Sequence, residues 1–187
     1  MAEPVARRIA LLGGESSGKT TLAQALAATL GTVWVPEYGR QRWEELRETL
    51  SIDELVAVAR TQIEWEDAYA AQAAARGCRW IVCDTTPLTT LQYALHDHGS
   101  APEALHAMAR RPYDLTLLCE PDFDFVQDGC RRDDGFRRAQ HAWTLQQLAA
   151  HGVQPLRVRG SVAQRVQAVG EALEAGVPIN AAAASPG

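Results

Sequence analysis

The octet Gly13-Gly14-Glu15-Ser16-Ser17-Gly18-Lys19-Thr20 satisfies the pattern G-x-x-x-x-G-K-[ST] at every constrained position. Its chemistry is the binding of phosphate. The glycines let backbone N–H groups turn inward around phosphate oxygens, and a helix N-terminus adds partial positive charge. Lys19 is expected on the β- and γ-phosphates, and the Thr20 hydroxyl on Mg2+, with Thr21 completing the loop. Of the 18 lysines and arginines, Lys19 is the one lysine. A chain that uses arginine wherever arginine serves keeps a compact point charge here, where a planar fork does not fit.

Acids stand where such a loop needs them. Asp84 ends the apolar run WIVCD and is expected to hold Mg2+ or the acceptor; the competing role is capping the following helix. Glu37 lies in PEYGR, after the apolar run TVWV. In small-molecule kinases of this architecture that position faces the phosphate acceptor, and a carboxylate there can take the proton of the attacking hydroxyl. Its competing role is a solvated turn glutamate paired with Arg40. Tyr38 suits stacking on a ring or plain packing, and Arg40 suits phosphate or Glu37. Gln62, on the third helical stretch beside Trp65, is expected to reach the acceptor. The residues leave open whether Glu37 or Asp84 is the base.

Four arginines fall in the stretch Asp128–Arg138, flanked by glycines. Arginines on a hinged loop can close over a transferring phosphoryl group; Arg131 and Arg132 are assigned that role, because Arg137 and Arg138 border the next helix. The acids Asp128, Asp133 and Asp134 favour the opposite view, a charge-balanced solvated loop. Gly160 and Ser161 follow the last strand and are expected beside the base of the nucleotide, with Ser161 also fitted to cap a helix.

These groups need a scaffold that gathers strand ends. Apolar runs at Arg7–Leu12, Thr32–Val35, Trp80–Cys83, Leu115–Cys119 and Pro155–Val158 read as buried strands. Helical patterns occupy 18–30, 40–50, 51–76, 87–95, 101–110, 138–151 and 162–175, and Ser51-Ile-Asp-Glu54 is a capping box opening the third. The alternation predicts an α/β fold: a five-stranded parallel sheet with helices on both faces, whose ligands bind at the carboxyl ends of the strands. One P-loop domain is expected over 1–175, with a lid loop at about 123–138 and a flexible tail over 176–187. His96-Asp97-His98 reads as a solvated turn, Trp65 and Tyr69 as core, and Trp43 and Trp143 as packing.

At 187 residues, 47% hydrophobic and 22% charged, the composition is that of an ordinary globular chain. A net charge of −5 disfavours nucleic acid as a partner. No apolar run approaches a membrane span, and no signal peptide is expected. Cys78, Cys83, Cys119 and Cys130 form no C-x-x-C pair, which suits free thiols in a reducing cytoplasm.

Taken together, GGESSGKTTL, PEYGR, CDTTPLTT and YDLTLLCEPDFDFVQDGCRR resemble, in order and spacing, the nicotinamide riboside kinase domain of NadR-type proteins. The resemblance spans roughly residues 8–168. It implies ATP- and Mg2+-dependent phosphorylation of a small-molecule substrate, nicotinamide riboside, to nicotinamide mononucleotide. Lys19 and Thr20 would serve phosphate and Mg2+, Glu37, Tyr38, Arg40 and Asp84 the acceptor, and Arg131 and Arg132 the lid. The sequence begins a few residues before its first strand, so the adenylyltransferase and DNA-binding functions of that family are not expected of it. A kinase for another nucleoside or coenzyme precursor is the nearest alternative. A P-loop ATPase or switch protein is the other; the absence of an N-K-x-D element weighs against a GTPase.

Overall fold

The computed structural model describes residues 5–125 and 132–176. Five strands, β1 (Arg7–Leu12), β2 (Trp34–Val35), β3 (Trp80–Cys83), β4 (Leu115–Cys119) and β5 (Leu156–Val158), form one parallel sheet in the order β2-β3-β1-β4-β5. Seven helices connect or close it: α1 (Lys19–Thr29), α2 (Tyr38–Leu46), α3 (Ile52–Ala75), α4 (Pro87–His98), α5 (Glu103–Ala109), α6 (Asp134–Ala150) and α7 (Val162–Glu174). The expected fold class is borne out.

Alternation along β1 explains why its sequence is apolar throughout. Ile9 and Leu11 point to one face, where Leu22 and Leu26 of α1 and Val169 of α7 cover them. Ala10 and Leu12 point to the other, covered by α3, α4 and α5 through Ala70, Leu88 and Leu105. Both faces are therefore buried, and every phosphate-loop and acid position is carried to the same edge of the sheet.

The strand and helix ends differ from expectation in ways that matter to the site. β2 is two residues long, because Thr32 is drawn into the turn by its N–H bond to Ala27 O (2.9 Å) and its hydroxyl bond to Trp80 O. α2 starts at Tyr38, directly after Glu37, and stops at Arg47, which adopts a left-handed conformation (φ 59°). α4 continues to His98 and is ended by left-handed Gly99. α6 starts four residues earlier than its pattern suggests, because Asp133 caps it by accepting from Phe136 N–H at 2.7 Å. Arg137 and Arg138 are thus helical. The capping box of Ser51 and Glu54 is formed as expected. Part of the expected lid, residues 126–131 with Asp128, Cys130 and Arg131, lies outside the described residues, as does the tail from residue 177.

Candidate active site

The phosphate loop joins β1 to α1. Gly13 has φ +142°, and a Cβ there would lie 2.7 Å from Cys119 O, so only glycine lets the loop press against the end of β4. Gly18 is left-handed and caps α1 with no side chain, leaving the first-turn amides facing the loop's concavity. Lys19 Nζ donates to the carbonyls of Gly13 (3.0 Å) and Gly14 (2.9 Å), which stations its charge across the loop mouth. Glu15 reaches away from the loop. Its carboxylate accepts from Tyr93 Oη (2.8 Å) and from Arg132 N–H (2.7 Å), and its own N–H donates to Gln140 Oε1 (2.7 Å).

At the end of β3, Thr86 caps α4 by accepting from Leu88 N–H at 3.2 Å. Asp84 is therefore not used as the cap, and its carboxylate is free for another role. It is 1% exposed. Burial pushes its pKa up, while a hydrogen bond from Thr20 and the charges of Lys19 and Arg40 oppose the rise. Its Oδ1 is buried with no hydrogen-bond partner among the described residues. An anionic oxygen kept unsatisfied beside a threonine hydroxyl fits Mg2+, a hard cation that takes oxygen ligands. The next residue, Thr85, is β-branched yet has φ 123°, a strained conformation at the cavity wall.

Glu37 occupies the cap position of α2 but makes no side-chain bond to that helix. Its carboxyl faces a cavity of about 430 Å³ that also opens onto Lys19, Thr20 and Thr85. Desolvation pushes its pKa up to about 7; Lys19 pulls it down and Asp84 adds to the rise. The competing pairing with Arg40 is not formed directly; among the described residues Arg40 makes an ion pair with Glu44 at 3.8 Å, along α2. Arg40 stands on the cavity wall nonetheless. Gln62 of α3 accepts the Tyr38 N–H at 3.0 Å, while its Nε2 is buried without a partner among the described residues. A buried donor so placed is prepared for an acceptor atom in the cavity.

Two aromatic assignments change places. Tyr38 turns from the cavity and stands edge-on to Trp65, ring centres 4.9 Å apart. Trp43, assigned to packing from its sequence, lies on the cavity wall with the Arg47 guanidinium 5.4 Å from its ring. The stretch His96-Asp97-His98 is the last turn of α4 rather than a solvated turn. Asp97 pairs with Arg132 at the cavity rim, His96 packs edge-on to Phe136, and His98 bonds Leu50 O. Arg132 thereby joins the site, stacked 4.7 Å from the Phe136 ring.

A second cavity, about 320 Å³, shares Ser16, Gly18 and Thr21 of the loop with the first and is lined further by Phe123, Gly160, Val162 and Arg165. Gly160 contributes to this wall, whereas Ser161 closes a capping box with Gln164. Exposed Phe123 and Val162 give it an apolar surface suited to a nucleotide base. Sequence reasoning missed Tyr93, Gln140 and Arg165 and set Arg137 aside to the next helix, because each contacts the loop across a large sequence separation; Asp97 reaches the site through Arg132. Arg137 is buried and donates to Phe123 O at 2.9 Å.

Comparison with known proteins agrees with this fold. Over 133 residues, 67% of the chain, it is 31% identical to the trifunctional NAD biosynthesis/regulator protein NadR of Salmonella typhimurium and of Escherichia coli. The chain spans 31% of the length of those relatives. Among solved structures, NadR protein in complex with NR matches with a TM-score of 0.73 at 22% identity, over 95% of this chain and 54% of that one. NadR in complex with NAD and AMP-PNP matches at 0.68 and 20%, over 89% of this chain and 49% of that one. Thymidylate kinase from Ehrlichia chaffeensis shares the fold at 0.60 and 15%, over 91% of this chain and the whole of that one. The expected resemblance to NadR is thus borne out, and the likeness to thymidylate kinase is one of fold. The sequence profile of the AAA domain matches residues 8–165, and the chain belongs to that family.

Proposed function

We propose that the chain transfers the γ-phosphoryl group of ATP to the 5′-hydroxyl of nicotinamide riboside, giving nicotinamide mononucleotide and ADP. The observation that carries this reading is one cavity lined by both Lys19 and Glu37, with the Glu37 carboxyl raised to about 7. A group of that pKa is half-deprotonated near neutrality and accepts a proton well. The likeness to a NadR structure in complex with NR supports the acceptor class.

In this mechanism the loop amides and Lys19 hold the β- and γ-phosphates. The acceptor lies in the larger cavity, where Gln62 Nε2 donates to it and the Trp43 ring forms one wall. Its hydroxyl oxygen bonds to the γ-phosphorus as the bond from that phosphorus to the β-bridging oxygen breaks, and Glu37 Oε takes the hydroxyl proton. Lys19, Arg40 and Arg132 offset the charge that spreads over the phosphoryl oxygens. Thr20 and Asp84 hold Mg2+, which when bound screens the phosphate charge. Asp84 serves the metal because it is buried at the strand end, and Glu37 serves as base because it faces the cavity. Positioning supplies most of the acceleration.

An ADP-release assay across a panel of nucleosides tests the reading. Nicotinamide riboside is expected to give turnover well above the ATP-only background. Turnover with a different nucleoside alone would reassign the acceptor, and ADP release indifferent to every acceptor would make the chain an ATPase.

A further inference from the structure

Arg165, on the first turns of α7, is 2% exposed, yet it brings a full charge into the interior. Its guanidinium donates to separate parts of the site. Nη1 reaches Ser17 O in the phosphate loop at 2.7 Å, and Nε reaches Gly160 O after β5 at 3.0 Å. Nη2 reaches Glu120 O at 3.1 Å and Asp122 Oδ1 at 2.5 Å, both just past β4. Asp122 returns the link, its Oδ2 accepting the Gly160 N–H. The flat face of the guanidinium lies 5.1 Å from the Phe123 ring, and that ring lies so close to Gly18 that a Cβ there would stand 3.1 Å from Cζ.

An apolar side chain would fill this space at a lower desolvation cost. Lysine, with one point charge, would not span these acceptors in a plane. The two cavities share Ser16, Gly18 and Thr21 of the loop that Arg165 holds, and Arg165 itself lines the smaller one. We propose that Arg165 is a positioning residue that ties the base-binding turn at Gly160 to the phosphate loop at Ser17, so that the two ends of the nucleotide bind as one ligand. This rests on the reading of the site as a nucleotide-dependent kinase.

The test compares Mg·ATP with Mg·tripolyphosphate, which has the phosphates but no base, by titration calorimetry on the full chain. The ratio of the two dissociation constants measures what the base side adds to phosphate binding. In Arg165→Lys this ratio is expected to fall by about tenfold, the size of one lost charge-assisted hydrogen bond. Asp122→Asn keeps the arginine, weakens the latch, and is expected to shift the ratio the same way by less; it also serves if Arg165→Lys does not fold. A merely structural role predicts a lower melting temperature with an unchanged ratio, and an unchanged ratio in the folded variants overturns the proposal. Equal affinity of the unaltered protein for both ligands overturns it too. An altered ratio in a protein that transfers no phosphate to any acceptor supports the coupling and overturns the kinase reading alone.

Discussion

Glu37 and Glu66 carry carboxyls pushed up to about 7 by the same cause, burial, yet they stand in opposite surroundings. Glu66 lies on α3 one turn beyond Gln62, turned toward the amino-terminal part of the sheet. It is sealed: Tyr113 Oη donates to both its oxygens (3.1 and 3.0 Å), and Arg111 Nε lies 3.1 Å from Oε2. Arg111 and Arg8 converge in turn on Asp67. Glu37 is shaped by charge and burial rather than by hydrogen bonds, and its carboxyl looks into a cavity it shares with Lys19. A perturbed carboxylate is a sign of function only when a ligand can reach it; with its partners all protein, the same shift belongs to the scaffold.

The sharpest way to break this comparison is to remove each charge in turn. Glu37→Gln is expected to lower kcat by about 10²–10⁴-fold, the usual worth of a general base, with little change in ATP affinity. In the unaltered protein kcat/KM should fall as pH drops through about 7, where Glu37 becomes protonated; single-turnover rates against pH would show this limb, and the Gln variant should lack it. A near-normal kcat would move the base to Asp84 and undo the contrast.

Asp84→Asn follows. It should raise the Mg2+ concentration needed for half-maximal rate by roughly tenfold or more, as loss of metal-site groups commonly does, which a Mg2+ titration of the rate measures. An unchanged Mg2+ requirement would show that its unpartnered Oδ1 serves something else.

Glu66→Gln is expected to act on stability rather than rate. Because its folded pKa lies above the ordinary carboxyl value, ionisation opposes folding. The unaltered protein therefore loses stability from this group as pH rises from about 4.5 and through about 7. Glutamine cannot ionise, so its advantage over glutamate should grow by roughly 3 kcal/mol between acidic and mildly basic pH, read from denaturant melts at each pH. Turnover should stay near normal. Glu37→Gln should show the same direction of stabilisation while losing activity, so the pair separates scaffold from chemistry.

The smallest effect belongs to Tyr38→Phe. Its ring packs on Trp65 and the substitution keeps that contact, so kcat and the acceptor KM should change by no more than about twofold, within the range of surface substitutions. A large rise in acceptor KM would return Tyr38 to the site.

Much of this was legible because it is local. The phosphate loop, the capping box of Ser51, the cap at Ser161, and the apolar runs of β1, β3 and β4 depend on residues within a few positions of one another. The helix starts at Tyr38 and Asp134 were misplaced by two to four residues, since polar first turns hide the period and the caps at Glu37 and Asp133 look like loop residues. No helix among the described residues is long and apolar enough to cross a membrane.

The sequence by itself determined the phosphate-loop chemistry and the parallel sheet, and it brought Glu37 and Asp84 to the same edge, because strand ends follow from the order of apolar runs. Only the tertiary structure decided which of those carboxylates faces the cavity and which lies buried beside Thr20. It packed Tyr38 against Trp65 and set Trp43 on the cavity wall, by the rotational phase of α2 against α3, a packing matter that no local pattern encodes. It also brought Arg165 to Ser17, 148 residues away in the chain, where one buried guanidinium satisfies carbonyls from elements that meet only when the sheet is complete.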